Sequence, residues 1–187
     1  IRTIALVHEA LSREPGDDVT FMEIVRPLLR LAEEGLQSID RPVRFTLQGD
    51  GGRIPAAIAT PLSVVLTELL QNAVDHGFPE DSEGGSVIVR LENGGDELRL
   101  WVVDDGRGVA AGFRLEDATG LGLSIVRTLV TTELDGSIVM RPLTAVDAAK
   151  QYAQLLPVAT KARDVRPDLS GCKRTGIASF YADMFTG

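Results

Sequence analysis

The spacing of apolar residues switches between helical and strand periods along the first half of the chain. Residues 1 to about 12 and residues 20 to 32 carry apolar side chains at helical spacing, and Pro27 should kink the second helix or delay its start. Residues 41 to 48 alternate apolar and polar side chains, which predicts a half-buried strand. A helix, a helix and a strand are therefore expected before residue 50.

A longer helix and a hairpin come next. Thr60-Pro61 favours a helix start, because threonine can cap a helix and proline suits its first turn, and the apolar spacing continues to about His76. Residues 85 to 92 and 97 to 103 are two apolar strands, and the Asn93-Gly94-Gly95-Asp96 segment between them is typical of a hairpin turn.

The last third of the chain is less regular. A short apolar helix follows Gly120, and residues 136 to 140 form the next predicted strand. Residues 144 to 156 have helical spacing, and residues 176 to 181 are either a closing strand of the sheet or part of an extension. We expect three parts: the end of a helix at 1–13, one α/β domain at 14–141, and an extension at 142–187.

Composition narrows the class of protein. The 187 residues are 44% hydrophobic and 25% charged, which is typical of a globular protein. The net charge of −8 argues against broad binding of nucleic acid through its phosphates. Neither a signal peptide nor an apolar run long enough for a membrane span is recognisable, and the single cysteine, Cys172, suits the cytoplasm. The first residue is Ile1 rather than methionine, so we expect a piece of a longer protein.

Three short motifs carry the candidate chemistry. Glu68 and Asn72 are four residues apart on the predicted long helix, so they share a face and can offer oxygen atoms to Mg²⁺. Asp104-Asp105-Gly106-Arg107-Gly108 ends an apolar strand, where a carboxylate can accept a hydrogen bond and glycines allow close approach of a ligand. Gly120-Leu121-Gly122-Leu123 opens a helix, whose free N–H groups attract phosphate. Together the motifs predict a nucleotide site.

The order of these motifs, and the strands between them, resemble the N, G1 and G2 boxes of an ATP-binding superfamily. That superfamily includes histidine kinases, DNA gyrase B, Hsp90 and MutL, and the resemblance covers about residues 1 to 141. It implies the Bergerat fold, an α/β sandwich in which a mixed, mostly antiparallel sheet has its helices packed on one face. The segments after residue 11 look most similar to soluble mycobacterial sensor histidine kinases.

The resemblance also implies roles for individual residues. Asn72 would hold Mg²⁺, while Glu68 would orient the water of the metal or accept a proton. Asp104 would accept the adenine amino hydrogen and so select ATP over guanine nucleotides. The remaining residues expected to contact ATP are Asp75, His76, Gly106, Arg107, Gly108, Gly120, Leu121, Gly122 and Leu123. His76 equally suits a helix cap and Arg107 a solvated surface, and Asp75 stands where many histidine kinases have lysine.

The resemblance further predicts partners. Residues 4 to 11 look like the second helix of a dimerisation and phosphotransfer hairpin, whose acceptor histidine belongs to a His-Arg-x-x-Lys-Asn-Asn motif on the first helix. The chain lacks that motif, and the resemblance implies that His8 belongs to the second helix and is not the acceptor. We therefore expect a kinase domain that phosphorylates an upstream hairpin, as a dimer in the intact protein, before a response-regulator receiver domain accepts the group.

Three other functions fit parts of the pattern. An anti-sigma-factor serine kinase shares the Glu-x-x-x-Asn-Ala motif and a short lid, but would lack the helix at residues 4 to 11. A gyrase-like or MutL-like ATPase would need a second, transducer domain. A non-catalytic module that binds a nucleotide or dimerises would show no turnover. We expect a cytoplasmic histidine kinase domain that makes no direct contact with membranes or nucleic acid.

Overall fold

The computed structural model describes residues 18–36, 42–79, 81–95, 97–110, 112–118, 120–143 and 177–185, with the backbone alone for 35–36, 143 and 177–185. The helices predicted at 1–12 and 144–156 lie outside these residues. The strands are β1 (Asp18–Thr20), β2 (Val43–Asp50), β3 (Arg53–Pro55), β4 (Gly85–Asn93), β5 (Glu97–Asp104), β6 (Gly136–Leu143) and β7 (Ile177–Phe185). The helices are α1 (Phe21–Leu36), α2 (Ala56–Asn72) and α3 (Leu121–Thr128), and π-helical turns at Ala73–Gly77 and Leu129–Glu133 prolong α2 and α3.

A five-stranded sheet with the order β2-β4-β5-β7-β6 forms the centre of the fold. The pair β2–β4 is parallel and the other three pairs are antiparallel, while β1 and β3 form a separate antiparallel pair. Alternate residues of β4 and β5 face the core, where they pack with α1, α2 and α3. The predicted sandwich, a mostly antiparallel sheet with helices on one face, is confirmed.

The strand β7 completes this sheet from the end of the chain. It lies between β5 and β6, with Trp101 opposite Tyr181 and Val139 opposite Tyr181 on the other side. Of the two interpretations of this part of the chain, the closing strand is therefore the one that the backbone of Ile177–Phe185 adopts. The division of the chain at residue 141 stays a prediction.

The helix α2 begins earlier than expected. We predicted a start at Thr60-Pro61, but the helix begins at Ala56, directly after β3. The additional turn buries Ala59 completely and packs Ile58 against the core, a gain that outweighs the one backbone hydrogen bond that Pro61 cannot donate. The Thr60 hydroxyl donates to the Ala56 carbonyl at 3.0 Å instead of capping the helix.

The same helix is the apolar centre of the domain. Ala56–Gly77 spans 22 residues, and its most apolar 18-residue stretch has a mean hydropathy of 1.3, so by length and composition it could cross a membrane; half of that stretch is buried inside the protein. Six apolar residues along one face of it are at most 2% exposed, namely Leu62, Val65, Leu66, Leu69, Leu70 and Ala73. It is the core helix of this fold, and its polar edge carries Glu68 and Asn72.

Candidate nucleotide-binding site

One cavity of about 680 Å³ brings the three sequence motifs together. It lies between the end of α2, the end of β5, the segment from 108 to 120, and the start of α3. Its volume is in the range of protein pockets that enclose a small ligand. Ten of the twelve predicted site residues line it: Glu68, Asn72, Asp75, His76, Asp104, Gly108, Gly120, Leu121, Gly122 and Leu123.

Asp104 is the buried acceptor of this cavity. Strand alternation turns its side chain to the same face as the core residues Leu100 and Val102, and only 1% of the residue is exposed. The Gly106 N–H donates to Asp104 Oδ1 at 3.0 Å. Burial, reinforced by the negative charge of Asp105, raises the pKa of Asp104 to about 7, although the Gly106 hydrogen bond opposes that rise. The carboxylate is thus costly to ionise unless a ligand donates to it.

We expect Asp104→Asn to stabilise the nucleotide-free protein at pH 8 and to have a much smaller effect at pH 5. In the folded protein the pKa of Asp104 is about 7, whereas an unfolded aspartate has a pKa near 4. The contribution of Asp104 to stability therefore falls as the pH rises from about 4 to about 7, and it stays low at higher pH. Removing the buried charge should add on the order of 2 kcal/mol to the free energy of unfolding at pH 8.

Urea unfolding at both pH values measures this difference. The matched control is Glu133→Gln, which neutralises an exposed carboxylate outside the cavity and should change stability equally little at both. A gain of the same size at pH 5 and pH 8 for Asp104→Asn would contradict the assignment of the pKa to Asp104.

Two glycines let the end of β5 cross the end of α2. The Arg107 N–H donates to the Gly77 carbonyl at 2.8 Å, and a Cβ on Gly106 would overlap that carbonyl. A Cβ on Gly77 would lie 3.0 Å from Asp104 Oδ1, which is tighter than an ordinary contact. Gly108 follows with φ +70°, a conformation that favours glycine. The crossing holds the Asp104 carboxylate against the helix that carries Asn72.

Gly106→Ala and Gly120→Ala should therefore have different effects on the free energy of unfolding, although both change a motif glycine to alanine. The first places a methyl group against backbone that cannot rotate away, so we expect a loss of about 1–3 kcal/mol in the free energy of unfolding. The methyl group of Gly120→Ala meets no atom within 4 Å, so this variant should change the free energy of unfolding by less than about 0.5 kcal/mol. Denaturant unfolding of the two variants checks this; equal losses would show that the crossing is not tightly packed.

The pair on α2 meets the start of α3. Asn72 Nδ2 donates to the Glu68 carbonyl at 2.7 Å, so the amide presents its oxygen, Oδ1, as the atom for a metal ligand. A Cβ on Gly122 would overlap Glu68 Oε2 and lie 3.8 Å from Asn72 Nδ2. The glycine thus lets the first turn of α3, where backbone N–H groups have no helical acceptor, approach the carboxylate and the amide.

A short segment closes one side of the cavity. Leu115 begins a single 3₁₀ turn and is 8% exposed, and Phe113 packs against the same core. Gly112 has φ +80°, which provides a bend between them and Gly108. This segment, the lid of the cavity, is therefore held against the domain by the side chains of Phe113 and Leu115.

Two predicted residues, Gly106 and Arg107, do not line the cavity. Gly106 acts through the backbone crossing, while the Arg107 side chain is 64% exposed and pairs with Asp81 at 3.4 Å. Conversely, nine residues outside the predicted set line the cavity, among them Gly77, Asp117 and Met140. Gly77 directly follows the last residue of the predicted helix, and no sequence signal distinguishes a helix end from a close approach to Asp104.

The residues present suit a magnesium ion that arrives with a nucleotide. Within the described ranges, no three His, Cys, Asp or Glu side chains form a cluster able to hold a metal ion. Glu68 and Asn72 nevertheless provide two oxygen donors in one cavity. Mg²⁺ is commonly held by one or two side chains together with substrate phosphates, so this donor set fits it.

Comparison with known proteins identifies the class. Residues 57–155 match the family described as histidine kinase-, DNA gyrase B- and HSP90-like ATPases, and the chain belongs to that family. It is 44% identical over 141 residues to the sensor histidine kinase PdtaS of Mycobacterium tuberculosis, and 44% identical over 140 residues to PdtaS of Mycolicibacterium smegmatis. Each alignment covers 75% of this chain and 28% of the relative, so the chain spans about a quarter of those proteins.

Solved structures agree on the fold. The histidine kinase domain of the blue-light-activated kinase EL346 from Erythrobacter litoralis matches with a TM-score of 0.64, at 19% identity, over 99% of this chain and 71% of that one. The catalytic domain of histidine kinase ThkA matches with a TM-score of 0.62, at 18% identity, over 92% of this chain and 98% of that one. The Bergerat fold is thereby confirmed, and the chain is a histidine-kinase-type ATPase domain.

Proposed function

We propose that this domain binds Mg-ATP and, in the intact protein, transfers the γ-phosphoryl group to a histidine on an upstream helical hairpin. A response-regulator aspartate then receives the group. The observation that carries the proposal is that Asp104 and Asn72, from separate motifs, line one cavity of nucleotide size. The PdtaS relatives, which are named sensor histidine kinases, support the choice of histidine as acceptor.

The proposed roles follow from the chemistry of each group. The buried Asp104 accepts the adenine amino hydrogen, and an ionised acceptor makes this hydrogen bond stronger. Asn72 Oδ1 would hold Mg²⁺, Glu68 would orient a water of the metal or accept a proton, and the ion would neutralise phosphate charge. The free N–H groups at the start of α3 bind phosphate oxygens, with Gly120 and Gly122 allowing close approach. Transfer then depends on positioning and charge neutralisation.

The two roles proposed for Glu68 predict different results for one substitution. It either orients water on the metal or accepts the proton of the attacking group. Its carboxylate Oε2 lies beside Gly122, at the start of the phosphate-binding turn, which supports either role. Glu68→Gln keeps a polar side chain of the same size that can still hydrogen-bond water, but cannot act as a base at neutral pH. Retained transfer in that variant supports the orienting role.

Placement in the cell follows the same proposal. The domain acts in the cytoplasm, next to ATP and the response regulator, as part of a dimer. Its net charge of −8 opposes binding to the anionic surfaces of nucleic acids and membranes.

The test supplies the missing hairpin in trans. Calorimetry first measures binding of a non-hydrolysable ATP analogue to the chain with and without Mg²⁺. Labelled ATP is then added together with a separately purified upstream hairpin. We expect acid-labile, base-stable label on the hairpin, the signature of phosphohistidine. Acid-stable label on an added protein would instead indicate a serine kinase, and nucleotide binding without any transfer would indicate a non-catalytic module.

A further inference from the structure

The second aspartate of the Asp104-Asp105-Gly106-Arg107-Gly108 motif has no role in the proposed binding of ATP, yet it makes close polar contacts at this end of the sheet. Ser86 N–H donates to Asp105 Oδ1 at 2.7 Å, and the Ser86 hydroxyl donates to Asp105 Oδ2 at 2.8 Å. The Asp105 N–H in turn donates to the Ser86 carbonyl at 3.2 Å. Asp105 and Ser86 are thus joined by three hydrogen bonds, two of them to a carboxylate.

These bonds lie at the point where the β4–β5 ladder stops. The last paired residues are Val87 and Asp104, so Ser86 and Asp105 are the next pair in the antiparallel register. At this pair the Asp105 side chain, rather than a backbone carbonyl, accepts the Ser86 N–H. The backbone after Asp105 is therefore released from β4 and turns towards α2, where Arg107 N–H reaches the Gly77 carbonyl.

The first residue of β4 is shaped to admit this carboxylate. A Cβ on Gly85 would overlap both Asp105 Oδ1 and the ring of Phe78, which itself is 1% exposed. Phe78 directly follows the π-helical turn at Ala73–Gly77 that ends α2. The Asp105 carboxylate therefore sits where β4, β5 and the end of α2 meet, on the outer side of the crossing that holds Asp104.

We propose that Asp105 is a positioning residue, which anchors the end of β5 to Ser86 and thereby holds the Asp104 carboxylate at the adenine end of the cavity. This inference rests on the proposed ATP site. Asp105 does not line the cavity, so it acts on the ligand through Asp104. The two bonds to the Asp105 carboxylate are charge-assisted but exposed. We therefore expect each to contribute little free energy alone, and the two together to hold Asp105 on Ser86.

The experiment compares the affinities of the whole chain for ATP and for GTP by calorimetry in Asp105→Ala, Asp105→Asn, Ser86→Ala and the double alanine variant. Asp105→Ala should weaken ATP binding about tenfold and reduce the preference for ATP over GTP, because Asp104 is no longer held in place. Asp105→Asn should restore both, since its Oδ1 still accepts from Ser86 N–H and its amide can donate to the Ser86 hydroxyl.

The serine variants test whether the two residues act as a unit. Ser86→Ala removes one bond of the three and should weaken ATP binding only about twofold to threefold, while the double variant should bind no worse than Asp105→Ala. Unfolding in the absence of nucleotide is followed in parallel; if Asp105→Ala fails to fold, the Asn variant and the serine variant decide the result.

Failure of this inference differs from failure of the proposed function. If the unaltered chain binds no ATP, the proposed function is wrong. If the unaltered chain binds ATP, and Asp105→Ala binds ATP and GTP with the same affinities as the unaltered chain, Asp105 has no positioning role. If Asp105→Asn loses as much affinity as Asp105→Ala, the negative charge matters rather than the anchor, which also overturns the proposal.

Discussion

Asp104→Ala is expected to lower the affinity for ATP by about 10-fold to 100-fold. A hydrogen bond to an ionised partner contributes about 1.5–3 kcal/mol, and each 1.4 kcal/mol is a factor of ten in a dissociation constant. Asp104 is 1% exposed and lines the cavity, so water cannot easily replace the lost acceptor. Calorimetric titration with a non-hydrolysable ATP analogue at pH 8, where Asp104 is mainly ionised, measures the loss.

Two comparisons make this result specific. Glu133→Ala removes an exposed carboxylate that does not line the cavity and should leave ATP affinity unchanged. The preference of the unaltered chain for ATP over GTP should largely disappear in Asp104→Ala, because the residue selects the base rather than the phosphates. An Asp104→Ala variant that is folded and binds ATP with unchanged affinity would remove the basis for placing adenine at this end of the cavity.

Asn72→Ala should reduce phosphoryl transfer to the hairpin by on the order of 100-fold or more, since charge neutralisation by the metal is a main part of such catalysis. The variant loses the Oδ1 ligand that the hydrogen bond to the Glu68 carbonyl orients. Binding of the nucleotide without Mg²⁺ should be nearly unaffected, because Asp104 remains in place. Calorimetry should show that Mg²⁺ no longer strengthens binding, and labelled ATP should show the loss of transfer.

Thr67→Ala is the matched control for this variant. Thr67 lies on the same helix and, like Asn72, donates to a backbone carbonyl four residues earlier, at 2.8 Å to Ser63, but it does not line the cavity. It should retain both Mg²⁺-dependent binding and transfer. Normal transfer by Asn72→Ala would show that the metal is held elsewhere, whereas equal losses in both variants would point to the stability of α2.

Local periodicity was enough to predict the parts of the site that lie on single elements. The four-residue spacing of Glu68 and Asn72 placed them on one edge of α2, beside the buried face of the same helix. Three core residues of β4 and three of β5 follow the period of two, and continuing that alternation turns Asp104 towards the core face. Both features depend on residues that are close together in sequence, which is why a local pattern could predict them.

The features that were missed depend on contacts between distant segments. The close approach of Gly106 to the Gly77 carbonyl joins residues about 29 positions apart, and the pairing of Arg107 with Asp81 joins residues about 26 positions apart. Neither contact leaves a local pattern. The early start of α2 was set by the burial of Ala59, which outweighed the usual preference of proline for the first turn. Tertiary packing decided each of these cases.

The position of β7 has a consequence for the synthesis of the protein. Until residue 185 has left the ribosome, the growing polypeptide cannot fill the gap between β5 and β6, because Met184 pairs with Leu98 on one side and with Gly136 on the other. Nascent chains that stop at residue 143 would leave one edge of β5 and the whole of β6 unpaired, and open strand edges are prone to pair with other molecules. Folding is thus expected to finish late and to depend on protection of the unfinished sheet.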